Sequence, residues 1–443
     1  MTTEERAAKA RPFGDIPEIT LPGDYNMRVG SFLAEMYRAH GPIFRTRSFG
    51  LDIVYLVGPE ANRFVLLTDR LKFSHHIGWG RLFNVVDMFG DGLLTMDGAE
   101  HDEHRKLMNP AFAISYMDRY VPLMNRVIRD RIATWGDVGE IDIYDEARKI
   151  TFDVAAEALT GLKTGPEVDE FRELFMQILM LGMTATSQDD FNTRLGVLHA
   201  RLDALIRPKI AERRANPTDD ILGLLVRAKD AEGRPLSDER IIAHANILLV
   251  AGHETSTSLS SWLFALLAQH ADVAQRTLDE QLRLVGPTAE PTLADIKGMR
   301  YLDNVLLEAE RLYPPVSNGP RGVVEDFDFG GYHVPAGTYL LYSIAASHLI
   351  PEVFEQPEQF DPERFAPPRE ESKRTPYALV GFGGGPRVCI GINFAKVEMK
   401  ALVSQALRRY EMELVPGQSL VQYYRVTAVP LYGIRMRVRK RAI

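Results

Sequence analysis

The sequence holds a single cysteine, Cys389, in 443 residues. That excludes an internal disulfide and agrees with a reducing compartment. It also excludes a zinc site or a redox centre built on paired cysteines. Long apolar runs are missing as well. The longest, such as Ile247–Ala251, fall far short of the roughly 20 residues a membrane span needs. The opening stretch, MTTEERAAKARPFGDIPEITLPGD, lacks the apolar centre of a signal peptide. The expectation is a cytoplasmic protein with no transmembrane anchor, and with residues 1–20 as a flexible N-terminus. Charge of one sign never forms a block. The 52 Lys and Arg are interspersed with 60 Asp and Glu, for a net charge of -8. Nothing in this pattern serves a nucleic-acid groove or a basic membrane patch. No repeat, low-complexity linker or compositional break divides the chain, so residues 1–443 read as one large domain.

What is present is an ordinary globular composition, 45% hydrophobic and 25% charged, with enough apolar residues to enclose a bulky cofactor. The stretch 41–59 reads as a hairpin turning at Gly50. Helical patterns then dominate: 59–68, 101–115, 117–135, 144–161, 166–183, 189–214, 219–229, a long run from Ser237 to about His270, 271–285 and 299–312. Pro314 and Pro315 stop the last of these. Residues 321–342 alternate as strands with Gly-Gly and Pro-Ala-Gly turns. Residues 350–380 read as ordered coil, and a helix over 390–409 precedes a strand-like tail. The fold class is therefore mainly α with small β-sheets near the two ends.

The cysteine lies in FGGGPRVCIG (382–391). Gly383, Gly384 and Gly385 carry no side chains, so backbone can lie flat against something broad. Cys389 sits just before a helix start, where unpaired N–H groups and the positive helix end lower a thiol pKa. Gly391 allows amides close to the sulfur. No Gly-Lys-Ser/Thr is present, and the glycines miss the GxGxxG spacing, so the loop is not built for nucleotide phosphates. The long helical run contains Ala251-Gly252-His253-Glu254-Thr255-Ser256. Ala251 and Gly252 let that helix approach a flat ligand. The Thr255 hydroxyl can bond back to the Ala251 carbonyl and open the helix. Glu254 and Thr255 supply a carboxylate and a hydroxyl able to relay protons. Position 257 is Thr, so His253-Glu254 does not begin a zinc-protease motif.

Phe382, Gly385, Arg387, Cys389 and Gly391 match Phe-x-x-Gly-x-Arg-x-Cys-x-Gly, and the loop resembles the haem-binding loop of the cytochrome P450 family. The resemblance runs the length of the chain. Ala251–Ser256 resembles the family's oxygen-binding segment, with Glu where many members have Asp. Glu308 and Arg311 match Glu-x-x-Arg, and Pro362–Phe365 matches its partner segment, with Arg364 as the third member. His101 and Arg105 resemble the His/Trp-x-x-x-Arg helix. The resemblance implies the P450 fold, with haem b between the long helix and the cysteine loop. It implies Cys389 as the axial ligand of the haem iron, within a loop whose Phe382, Gly383 and Gly391 border the cofactor. It implies Ala251 and Gly252 against haem, and His101, Arg105, Arg321 and Arg387 for the propionates. Glu308, Arg311 and Arg364 become a structural charge network.

The implied activity is a monooxygenase that uses dioxygen and two external electrons to hydroxylate or epoxidise a hydrophobic small molecule. Thr255 and Glu254 are its catalytic candidates. GPIFRTRSFG, AGHETSTS and PERF with FGGGPR look similar to retinoic-acid hydroxylases, which adds a retinoid, terpenoid or fatty acid as substrate class. Substrate contacts are expected from 73–96, 171–186, 316–319 and 420–430. The tail after residue 409 is too short for a fused reductase, so a separate ferredoxin with its reductase is the expected electron source. Arg387, Lys396, Lys400, Arg408 and Arg409 are the cations expected to face it. A peroxide-driven peroxygenase and a haem-binding sensor without turnover are the alternatives; neither needs Glu254 and Thr255.

Overall fold

The computed structural model describes residues 10–442 apart from Phe49 and Ala231. Most of it is helical: α1 (Val29–His40), α2 (Gly98–Phe112), α3 (Met117–Ile132), α4 (Ile143–Thr160), α5 (Pro166–Thr184), α6 (Gln188–Ala215), α7 (Asp238–Gln269), α8 (Ala271–Val285), α9 (Arg300–Leu312) and α10 (Ile392–Arg409). The 32-residue α7 opens with Ser237, whose hydroxyl accepts the Arg240 N–H at 3.2 Å, an N-cap worth about 1 kcal/mol. Between Ile241 and Leu267 it is buried on nearly every face, as befits a helix running through the middle of a core. The principal apolar cluster gathers around it from α3, α4, α5, α6, α9 and α10. No helix among the described residues is long and apolar enough to cross a membrane.

The strands are β1 (Ile43–Ser48), β2 (Leu51–Val57), β3 (Phe73–Ser74), β4 (Val138–Asp142), β5 (Asn318–Val323), β6 (Phe327–Phe329), β7 (Tyr332–Val334), β8 (Tyr339–Ser343), β9 (Tyr410–Leu414), β10 (Gln422–Tyr424), β11 (Ala428–Pro430) and β12 (Arg435–Lys440). The 41–59 hairpin forms as read from sequence, with Ser48 opposite Leu51. It extends into a five-stranded sheet of order β1-β2-β8-β5-β3. β4, β12 and β9 make a second sheet, and β6–β7 and β10–β11 are two-stranded.

Three expectations change. Strand β4 sits mid-chain, because its partner is the distant β12; nothing local in VGEID marks it. A short helix at Leu293–Gly298 was not anticipated, although Thr292 and Asp295 form a reciprocal capping box there. Part of the 1–20 stretch expected to be flexible packs on the rest of the chain. Arg11 bridges to Tyr332 and Glu18 to Arg45, while Ile16 and Ile19 are buried. Residues 1–9 of that expectation lie outside the described residues.

Candidate active site

The loop before α10 is folded on itself. The Cys389 N–H donates to the Phe382 carbonyl at 2.8 Å, and the Val388 N–H donates to Gly385 at 3.1 Å. Its glycines serve different ends. Gly383 borders an interior cavity. Gly385 has φ +59°, and a Cβ there would lie 2.3 Å from the Leu66 carbonyl oxygen; a Cβ on Gly384 would lie 2.9 Å from the Tyr377 ring. The three-glycine platform of the sequence reading thus reduces to Gly383, and the other two serve packing of the protein on itself.

Cys389 retains accessible surface although protein atoms crowd it. The two facts agree because that surface faces the cavity. Helix α10 starts at Ile392 rather than Ile390. Burial pushes the Cys389 thiol up, against the pull of the Gly391 N–H and Arg105. The expectation that the helix end would lower it is therefore not met, because desolvation outweighs the nearby dipoles.

The cavity, about 300 Å³, lies between this loop and α7. From α7 it is bordered by Ile247, Leu248, Ala251, Gly252, Thr255 and Ser256. Ala251 is exposed at the middle of the longest helix, because its surface opens into the cavity. The Thr255 hydroxyl donates to the Ala251 carbonyl at 2.6 Å, the back-bond read from the sequence.

Glu254 goes elsewhere. One residue along a helix is a turn of about 100°, and Glu254 borders a separate cavity of about 110 Å³ with Tyr144, Arg148, Arg425 and Thr427. Burial raises its pKa, opposed by Arg148. Glu254 and Thr255, read from the sequence as a carboxylate and a hydroxyl able to relay protons, therefore border different cavities. The proposed substrate segments divide in the same way. His75, Trp79, Leu93, Leu94, Val316 and Gly319 border the larger cavity. The 171–186 and 420–430 segments reach only the smaller one, through residues such as Met176, Met180 and Val426.

One edge of the larger cavity gathers His101 and Arg105 from α2, Arg321 from β5 and Arg387 from the loop, joined by His75. Arg321 is 3% exposed; it bonds the Pro320 carbonyl at 2.7 Å and lies 5.1 Å from the Tyr342 ring centroid. Arg387 reaches the Met96 carbonyl at 2.5 Å and stands 3.6 Å from Asp97. Burial, then Arg321, lowers Arg387 to about 10. Burial lowers Arg321 and Arg105 too, and lowers His101 to about 4. Asp97 beside Arg387 and Asp102, 2.9 Å from His101 Nδ1, are the carboxylates set against the three guanidiniums.

Behind the loop, Glu308 and Arg311 are wholly buried. Arg311 donates through Nε and Nη2 to the two Glu308 oxygens, at 2.7 Å each. Arg364 donates to Glu308 at 3.0 Å and to Glu371 at 2.7 Å. Four contacts to the carbonyls of Glu355, Pro357 and Gln359 tie the 350–380 coil to these guanidiniums, and a fifth reaches the His348 carbonyl. The three residues picked from sequence are thus one network.

The cationic outer face is thinner than expected. Arg387 turns into the cavity. Lys400 is buried and paired to Asp303 at 2.7 Å. Arg408 is buried on the carbonyls of Gly286 and Ala289. Lys396 and Arg409 remain half-buried at the surface.

The cytochrome P450 family matches residues 13–429 of the chain. The chain is a cytochrome P450. It is 33% identical to cytochrome P450 120 of Synechocystis over 92% of both chains. It is 32% identical to cytochrome P450 136 of Mycobacterium tuberculosis over 93% of this chain and 84% of that one. Among solved structures it resembles the retinoic-acid-bound cyanobacterial CYP120A1, with a TM-score of 0.85 and 33% identity over 96% of this chain and 99% of that one. The fold and the monooxygenase class follow from membership, and so does haem b as cofactor.

The cavity fits that group. Arg105, Arg321 and Arg387 place three guanidiniums there against Asp97 and Asp102, a donor set suited to two haem propionates, and His75 Nδ1 is buried without a partner. A thiol and a small-residue helix face enclose the space from opposite sides. Sequence reasoning missed His75, which sits beside His76 in a stretch read as substrate-facing. It also missed Asp97, whose carboxylate holds the 74–76 turn through Ser74 and the His75 and His76 N–H groups. No local pattern distinguishes either residue.

Proposed function

We propose that this P450 oxidises an elongated, apolar isoprenoid, with a retinoid as the first candidate. The observation carrying this is the apolar wall of Trp79, Leu93, Leu94, Ile247, Leu248 and Val316 around the cavity, in a chain 33% identical to a retinoic-acid-bound relative. Such a wall binds by excluding water from hydrocarbon and rewards shape over charge.

When bound, haem supplies the iron at which dioxygen is activated by two electrons. The chain's own residues would do the rest. Cys389 would hold the haem iron through its thiolate, whose electron donation would tune the metal for oxygen chemistry. His75, His101, Arg105, Arg321 and Arg387 hold the propionates. Thr255, anchored on Ala251, holds a proton at Oγ inside the cavity. Glu254, about 100° around α7 from Thr255, would take protons from the smaller cavity it borders. A ferredoxin and its reductase supply electrons, docking at a face where Lys396 and Arg409 remain available.

Titration of the haem-loaded protein with retinoic acid tests the substrate class. Substrate bound in the cavity would be read as a shift of the Soret band to shorter wavelength. A shift with retinoic acid but not with a saturated fatty acid of similar length supports the proposal. A shift with the fatty acid alone reassigns the class.

A further inference from the structure

Glu310 has no part in the roles above. It stands two residues after Glu308 on α9, so it points roughly 200° around the helix from the buried network, toward the cysteine loop. It is 3% exposed and borders the haem cavity with Gly381, Phe382 and Cys389. The approach is close: a Cβ on Gly381 would lie 2.4 Å from Glu310 Oε1. Glycine at 381 is what lets the carboxyl reach the loop backbone, where the N–H groups of Gly381 and Phe382 face it.

Phe382 is the joint of the arrangement. Its N–H faces Glu310. Its carbonyl accepts the Cys389 N–H at 2.8 Å. Its ring centroid lies 5.6 Å from Lys396 Nζ. The charged groups bearing on Glu310 are Lys396, from α10, and Cys389, from the loop. Glu308 and Arg311, on its own helix, are committed to each other. His348, behind the loop at Val380, is neutral.

We propose that Glu310 and Lys396 are a pair of opposed positioning charges that set the electron-donating strength of the Cys389 thiolate, and with it the haem reduction potential. Reducing the haem adds negative charge beside Glu310. The buried carboxylate resists that addition, and the half-buried surface ammonium favours it through a more screened interaction. Burial pushes the Glu310 carboxyl up to about 7, with Lys396 and the two N–H groups opposing, so its charge varies across neutral pH.

The inference rests on Cys389 as the iron ligand. The experiment therefore first records the carbon monoxide spectrum of each reduced, haem-loaded protein, then measures the midpoint potential at pH 8.5. Glu310→Gln should raise the reduced-to-oxidised ratio at fixed potential at least threefold, a shift of about 28 mV on the 59 mV per tenfold scale for one electron. Lys396→Gln should shift it the other way. The wild-type potential should fall between pH 6 and 8.5 along a slope that Glu310→Gln lacks. Shifts of the same sign in both variants, or an unmoved potential in Glu310→Gln with its thiolate spectrum intact, would overturn the proposal. A wild-type spectrum without thiolate character would overturn the ligand assignment beneath it.

Discussion

Replacing Glu308 by Gln keeps the side chain's shape and removes one buried charge. The carboxylate accepts from Arg311 Nε and Nη2 at 2.7 Å, from Arg364 Nε at 3.0 Å and from the Asp361 N–H at 2.9 Å. A glutamine oxygen can serve one side of that set. Its amide nitrogen then faces a guanidinium, donor against donor. Arg364 keeps Glu371 as counter-ion, but Arg311 keeps none that bonds it. A buried pair broken from one side costs about 3–5 kcal/mol, because the remaining charge stays out of water. With an unfolding entropy of about 2.1 cal/mol/K per residue, a chain this long would lose about 3–5 °C of Tm. The damage should be local first. The coil hung from the two guanidiniums loosens, and haem dissociates from the loop it supports. Thermal unfolding and haem transfer to apomyoglobin would both report it. A Glu308→Gln protein with Tm within 1 °C of wild type and unchanged haem retention would refute the reasoning.

The glycines separate by position. Gly385→Ala meets the Leu66 carbonyl at positive φ and should cost at least about 1–3 kcal/mol, seen as lower haem content. Gly252→Ala has open space for its Cβ and should keep its fold while narrowing the substrate cavity, a difference that binding titrations with wild type would expose. His348 gives the pH dependence. Its Nδ1–H donates to the Arg311 carbonyl at 3.2 Å, and its Nε2 accepts the Val380 N–H at 3.0 Å, so it must be neutral. Burial lowers its pKa to about 3, below the unfolded 6.5. The stability it contributes is present above about pH 6.5 and lost as pH falls toward 3, about 2 kcal/mol by pH 5. His348→Gln should therefore lie below wild type in Tm at pH 7, with the gap closing by pH 5; a constant gap would contradict this. Thr255→Ala should leave electron consumption running while product falls, measured as product formed per reductant used. Unchanged coupling would remove Thr255 from the proton path.

The parts legible in the sequence were those whose chemistry demands a residue type at a fixed spacing. Cys389 with its loop, the Thr255 back-bond and the Glu308–Arg311 pair each lie within a few residues of one another. The long helix was legible because Ser237-Asp-Glu-Arg240 opens it with a capping residue and the helical pattern runs on to about His270. What stayed hidden depends on distant partners. β4 is a strand only because β12 comes beside it. His75, Asp97, Glu310 and His348 gain their roles from segments up to about 300 residues away. Lys400 and Arg408 read as surface charges, since burial against Asp303 and the Gly286 carbonyl leaves no local mark. The separation of Glu254 from Thr255 was available in principle from the 100° step of a helix.

The most direct test of the account is the absorption spectrum of the purified protein, reduced and exposed to carbon monoxide, beside that of Cys389→Ala. Thiolate ligation predicts a strongly red-shifted Soret band in the wild type that the variant loses. A band typical of histidine-ligated haem, or a wild-type band that survives the substitution, would contradict it.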